Sequence, residues 1–177
     1  MKRALLTPLA LLVALVGTGM GNGTALAGAP QAAPKGDEVR RVLGYYYAEG
    51  STAPLLIETR LCSEVGTQGE SKNECTGELD PDSITADTET YLWLNFLVPK
   101  NASDSKVLIQ FNHDGLTRQA REVSLSSGIR FRTWKRFKLD RTGRWTIDVL
   151  HDAADGARKL ERIDLRVGSP PVADATE

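Results

Sequence analysis

Beyond Pro54, apolar and polar side chains alternate with a period of two, the pattern of strands that bury one face. It is clearest from Thr88 to Val98, where Leu92, Leu94, Phe96 and Val98 alternate with Tyr91, Trp93 and Asn95 before Pro99 stops the run. Val107, Ile109 and Phe111 repeat it, and Asp114-Gly115 then supplies a tight hairpin turn. Leu116 to Leu125 alternates poorly, as an edge strand does. Ile129 to Leu139 and Trp145 to Leu150 are clearer strands joined by the turn residues Asp140 to Gly143. Ile163, Leu165 and Val167 form the last, closed by Ser169-Pro170-Pro171. With Leu55 to Ser63 as the first, about seven strands are predicted, and no amphipathic helix.

Short strands, hairpin-length links and one-sided alternation predict an all-β fold, an antiparallel immunoglobulin-like β-sandwich over residues 51–168. A barrel is the second choice, and the missing helical patterns between strands argue against a parallel α/β sheet.

The amino-terminal segment has a different pattern. Lys2 and Arg3 precede a mostly apolar run, Ala4 to Val16, and a looser stretch ends at Ala25-Leu26-Ala27. This order of charge, apolar run and small-residue site predicts a signal peptide over residues 1–27, and the run is too short for a spanning helix. The expected product is therefore exported, periplasmic or secreted, with no membrane span. Gly28 to Glu38 reads as a flexible Pro/Ala/Gly spacer, and Tyr45, Tyr46 and Tyr47 as either a first strand or a lid, so that residues 28–50 precede the domain and 169–177 trail it as a disordered tail.

Loss of Lys2 and Arg3 takes the formal charge from −1 to −3, which argues against a nucleic-acid partner. Charge is unevenly distributed along the chain. From Glu49 to Thr90 there are ten acidic residues against Arg60 and Lys72, whereas Thr117 to Lys138 carries seven basic residues against Glu122. Cys62 and Cys75 are the only cysteines, and in an exported chain they are expected to pair. Two cysteines alone lack the second ligand pair of a structural zinc site.

Candidate chemistry is sparse. His113 and His151, each followed by an aspartate, could serve a hydrolase, but no nucleophile elbow accompanies them, and the plainer reading is exposed turn residues. Asp80-Pro81-Asp82, with Glu78 and Asp87 nearby, gathers carboxylates without calcium-loop order and reads as a solvated acidic loop. Asn101-Ala102-Ser103 matches a glycosylation sequon but reads as a turn. No cofactor or metal is expected.

Phe111-Asn112-His113-Asp114-Gly115, Arg130-Phe131-Arg132-Thr133-Trp134, Gly143-Arg144-Trp145-Thr146-Ile147-Asp148-Val149 and the closing Leu165-Arg166-Val167 resemble the uncharacterised bacterial family catalogued as domain of unknown function 2914. The resemblance covers roughly residues 55–168. It implies an extracytoplasmic or membrane-attached β-domain with no established activity. Lys135 departs from the small hydroxyl residue that tends to follow Arg-Thr-Trp in that family.

One strand supports a sharper expectation. If Ile129 to Leu139 alternates without a bulge, Arg130, Arg132, Trp134, Arg136 and Lys138 share the outer face, a cationic ladder around one indole. The same phase turns Lys135 inward between Phe131 and Phe137, where an unpaired ammonium is costly. A bulge near Thr133 would instead bury Trp134, and the resemblance favours that arrangement. The leading functional expectation is a non-catalytic binding or interaction module of the bacterial envelope, its partner an envelope protein or anionic glycan. The alternatives are a hydrolase using His113 or His151 and a purely structural accessory domain.

Overall fold

The computed structural model describes residues 34–50, 53–102, 105–153 and 156–170. The region predicted as a signal peptide, residues 51–52, Ser103 of the sequon and most of the expected tail lie outside the described residues.

Two sheets pack face to face. Strands β1 (Leu55–Val65), β2 (Cys75–Glu78), β4 (Thr90–Val98) and β7 (Gly128–Phe137) form one, in the order β2-β1-β4-β7. Strands β3 (Ile84–Thr85), β5 (Lys106–His113), β6 (Leu116–Ser124), β8 (Gly143–Ala153) and β9 (Gly156–Gly168) form the other, in the order β3-β9-β8-β5-β6. Neighbours are antiparallel except β3 and β9, which run parallel. The predicted sandwich is therefore present, with β2 and β3 as short strands beyond those the alternation marked.

The two-residue period places the core. Leu92, Leu94, Phe96 and Val98 of β4 are buried against Val107, Ile109 and Phe111 of β5, Trp145, Ile147 and Val149 of β8, and Leu165 and Val167 of β9. The rings of Phe111 and Phe137 meet at 4.7 Å across the two sheets. Asp114 (φ 52°) and Gly115 (φ 76°) both adopt the left-handed backbone that the β5–β6 hairpin needs, and β6 is an edge strand as expected. The turn residues Asp140 to Gly143 do not close a hairpin; they carry the chain from β7 in one sheet to β8 in the other.

A helix, α1 (Gly36–Tyr46), corrects the expectation of no helix and replaces both the strand and the lid considered for the tyrosines. The Glu38 carboxylate accepts the Lys35 N–H at 3.0 Å, and Arg41 pairs with Asp37 one turn away. Val39, Val42 and Leu43 share one side at helical spacing, yet no helix residue is buried. The Lys100 N–H donates to the Tyr46 carbonyl at 2.9 Å, and the Tyr45 hydroxyl donates to the Ala53 carbonyl at 2.7 Å. These two bonds tie the helix end to the sandwich. Among the described residues no helix is long and apolar enough to cross a membrane.

The outer face of the five-stranded sheet carries one buried carboxylate. Asp148 accepts from Arg162 Nε and Nη2 at 2.8 and 3.0 Å, from Asn112 Nδ2 at 3.1 Å, and pairs with Lys159 Nζ at 2.9 Å. The Arg162 hydrogen bonds, aided by Lys159, hold the Asp148 carboxyl below its usual range against the opposing effect of burial. A depressed carboxylate stabilises the fold above its unfolded value, and that contribution fades as pH falls through the lower folded value. Asp148→Asn is therefore expected to lower stability by about 1–2 kcal/mol at neutral pH. Urea denaturation should show that gap closing in acid; a gap that stays constant would refute the assignment.

Candidate binding face

The register of β1, β4 and β7 sets three cross-strand rows on the outer face of the four-stranded sheet. Glu58, Asn95 and Arg132 are partners in one row, Arg60, Trp93 and Trp134 in the next, and Cys62, Tyr91 and Arg136 in the third. Pairing of β7 with β4 runs without a shift from Phe137 to Phe131, so there is no bulge at Thr133. Trp134 consequently lies on the outer face with 36% of its surface exposed. This corrects the buried Trp134 that the resemblance favoured.

The inner phase of the same strand holds Phe131, Thr133, Lys135 and Phe137, opposite Phe96, Leu94, Leu92 and Thr90. Lys135 is half-buried there. Because β7 is the outermost strand, its long stem can lie along apolar surface while the ammonium reaches water at the flank. On the neighbouring outermost strand Arg121 takes the same inward phase, opposite Ile109, and remains exposed.

A loop between β1 and β2 folds over part of this face. The disulfide between Cys62 and Cys75, with Cα atoms 5.7 Å apart, closes it as expected. Gly66 N–H donates to the Glu74 carbonyl at 2.9 Å and Asn73 N–H to the Gly66 carbonyl at 2.8 Å. Gly66 has no substitute at this crossing, since an added Cβ would stand 2.0 Å from the Ser71 carbonyl oxygen. The loop presents the Asn73 carbonyl to Trp93, whose Nε1–H donates to it at 2.7 Å, and Trp93 is buried although it faces outward. On its other side the Arg60 guanidinium sits 5.6 Å from the Trp93 ring.

The cations of the ladder are partly compensated. Glu74, delivered by the loop, contacts Arg132 and lies 3.9 Å from Arg130. Glu89 pairs with Arg136 at 3.4 Å and accepts the Tyr91 hydroxyl at 2.7 Å, which pushes the Tyr91 phenol up from its ordinary value. The Tyr91 ring meets Trp134 edge-on at 5.5 Å and braces it. Lys138 lies just beyond β7, exposed, its carbonyl accepting from Gln119 Nε2 at 2.9 Å. Of the sequence candidates, Arg130, Arg132, Trp134 and Arg136 are thus brought onto one face. Glu74, Glu89, Tyr91 and Trp93 join them, none of which the sequence reading assigned to the site.

His113 and His151 correct the expectation of exposed turn residues. Both are buried, as the last residue of β5 and within β8 respectively. His113 Nε2 donates to the Thr142 carbonyl at 3.2 Å, its ring packs 4.7 Å from Trp145, and Nδ1 lies 3.2 Å from the Asp114 carboxylate, off the line of a hydrogen bond. That arrangement places the ring as a wedge at the turn. Asp80 of the acidic loop accepts the Asp82 N–H at 2.8 Å, capping the short 3₁₀ turn Pro81–Ser83. Among the described residues no group of three or more histidine, cysteine, aspartate or glutamate side chains is placed to hold a metal ion.

No family profile matches the chain, and no curated protein matches it either. Among solved structures it is similar to the C-terminal domain of wzt, at 15% identity over 71% of this chain and 82% of that one, with a TM-score of 0.41. It is also similar to the CARDB domain of a Pyrococcus furiosus protein solved in complex with di-metal ions, at 15% identity over 67% of this chain and 97% of that one, with a TM-score of 0.38.

Proposed function

We propose that the chain is a non-catalytic, extracytoplasmic binding module of the bacterial envelope, and that it binds through the outer face of its four-stranded sheet. The observation that carries this reading is the β4–β7 register, unshifted from Phe131 to Phe137, which exposes Trp134 between Arg132 and Arg136 with Tyr91 as its brace. An indole held rigid on a strand offers apolar contact area at low entropic cost, and guanidinium forks beside it supply directional bonds to an anionic partner. The cystine supports the compartment, since such bonds persist where thiols are oxidised. The export signal read over residues 1–27 and the kinship with domain of unknown function 2914 belong to the same proposal.

Capture of envelope material by immobilised protein tests it. Trp134→Ala is expected to weaken capture by about thirtyfold, as loss of a central aromatic anchor does, and Arg130→Ser/Arg132→Ser/Arg136→Ser to abolish its salt-sensitive part. Capture that neither variant changes would overturn the reading and leave a structural accessory domain.

A further inference from the structure

We infer that this face takes a carboxylate-bearing polysaccharide, a polyuronate in chemical class, and that Glu74 holds the place of a ligand carboxylate. The inference rests on the reading of the face as a recognition surface.

The first observation is the position of Glu74. It comes from the cystine-closed loop, far in sequence from β7, and sets its carboxylate against Arg132 with Arg130 at 3.9 Å. Two guanidinium groups two residues apart on one strand face form a carboxylate receptor, and the chain fills it with its own side chain. The second observation lies next to it. Arg132 Nε and Asn95 Oδ1, on cross-strand partners, are both buried without a hydrogen-bond partner among the described residues. One unused donor and one unused acceptor beside a held carboxylate match a uronate ring, whose hydroxyl groups both donate and accept next to its acid group.

Trp134 supplies the third element, an exposed apolar surface two residues along the same strand for the C–H face of a ring. The ladder also repeats. Arg130, Arg132 and Arg136 share one phase, and successive positions of that phase lie roughly 6.6 Å apart along a strand. Trp134 takes the position between Arg132 and Arg136, so the cations recur after one step and then after two, and a row of separated charges suits a polymer with repeated charges better than a single anion. With Glu74 displaced, Arg130 and Arg132 become available to it, while Arg136 keeps Glu89. The loop carboxylate therefore acts as an internal competitor that any acidic ligand must displace.

The test compares polygalacturonate with its full methyl ester, which keeps the backbone and removes the charge, on the disulfide-intact protein. Wild type is expected to bind the acid form more tightly than the ester. Glu74→Gln, near in size to the residue it replaces, should tighten binding to the acid form roughly two- to fivefold, the strength of an exposed ion pair, and leave the ester unchanged. Equal binding of acid and ester, no gain in Glu74→Gln, or no binding of either polymer would overturn the polyuronate inference. The parent reading is judged separately by Trp134→Ala on envelope capture: loss of capture there, with no preference for the acid polymer, leaves the face as a recognition surface for a neutral glycan or an acidic protein.

Discussion

Replacing Trp145 with alanine is expected to lower the free energy of unfolding by about 3–5 kcal/mol, the cost of removing a large aromatic from a packed core. Trp145 is only 1% exposed, although its backbone follows directly on the turn that carries the chain between sheets. Its indole N–H donates to the Arg141 carbonyl at 2.9 Å, and its ring packs 4.7 Å from His113. Alanine would remove the anchor of the turn and the ring that packs against His113 together, with Ile147 and Leu165 unable to close the gap without moving their strands. Urea unfolding followed by far-ultraviolet circular dichroism measures the change, and a loss below about 1 kcal/mol would show that the site collapses freely.

Removing the cystine is the second large effect. Cys62→Ser/Cys75→Ser is expected to cost about 3 kcal/mol on the chain-entropy model for a loop of this span. The same change frees the loop that covers Trp93, so the indole loses the Asn73 carbonyl and meets water. The fluorescence of the folded variant should shift to the red, and the shift should vanish when Trp93→Phe is added. Equal stability of the reduced and oxidised proteins would show that the loop's own hydrogen bonds hold it without the bond.

The sandwich was legible because its cause is local: a strand between a core and water must alternate, and β4, β5, β8 and the end of β9 do so residue by residue. The elements that escaped are those whose stability comes from neighbours. Strand β3 is two residues long and exists because Ile84 pairs with Val167, while β2 is held by Cys75 and the bend at Gly77. Helix α1 has only a short apolar side, embedded in a segment whose Pro and Gly content suggests a linker, and it is fixed by backbone bonds that no pattern announces.

The binding face was half legible. Strict alternation placed Arg130, Arg132, Trp134 and Arg136 together, and the inward Lys135 that made this phase look costly is tolerated because no further strand pairs with β7 on its outer side. Nothing in the local sequence brings Glu74 to Arg132 or lays Asn73 on Trp93, since those contacts depend on how a distant loop folds back. The histidines were illegible for the opposite reason: Asn112 and Asp114 flank His113 and Asp152 follows His151, polar company that suggests turns, but the strand phase turns both rings into the interior.

The inward cations Arg121 and Lys135 have a consequence for molecules at high concentration. A second copy approaching along the flank of β6 and β7 would find strands that each pair on one side only, and in zipping onto them would have to trap two positive charges in a dry seam. The flank that looks most ready to nucleate a fibril is thereby the one on which growth is uphill.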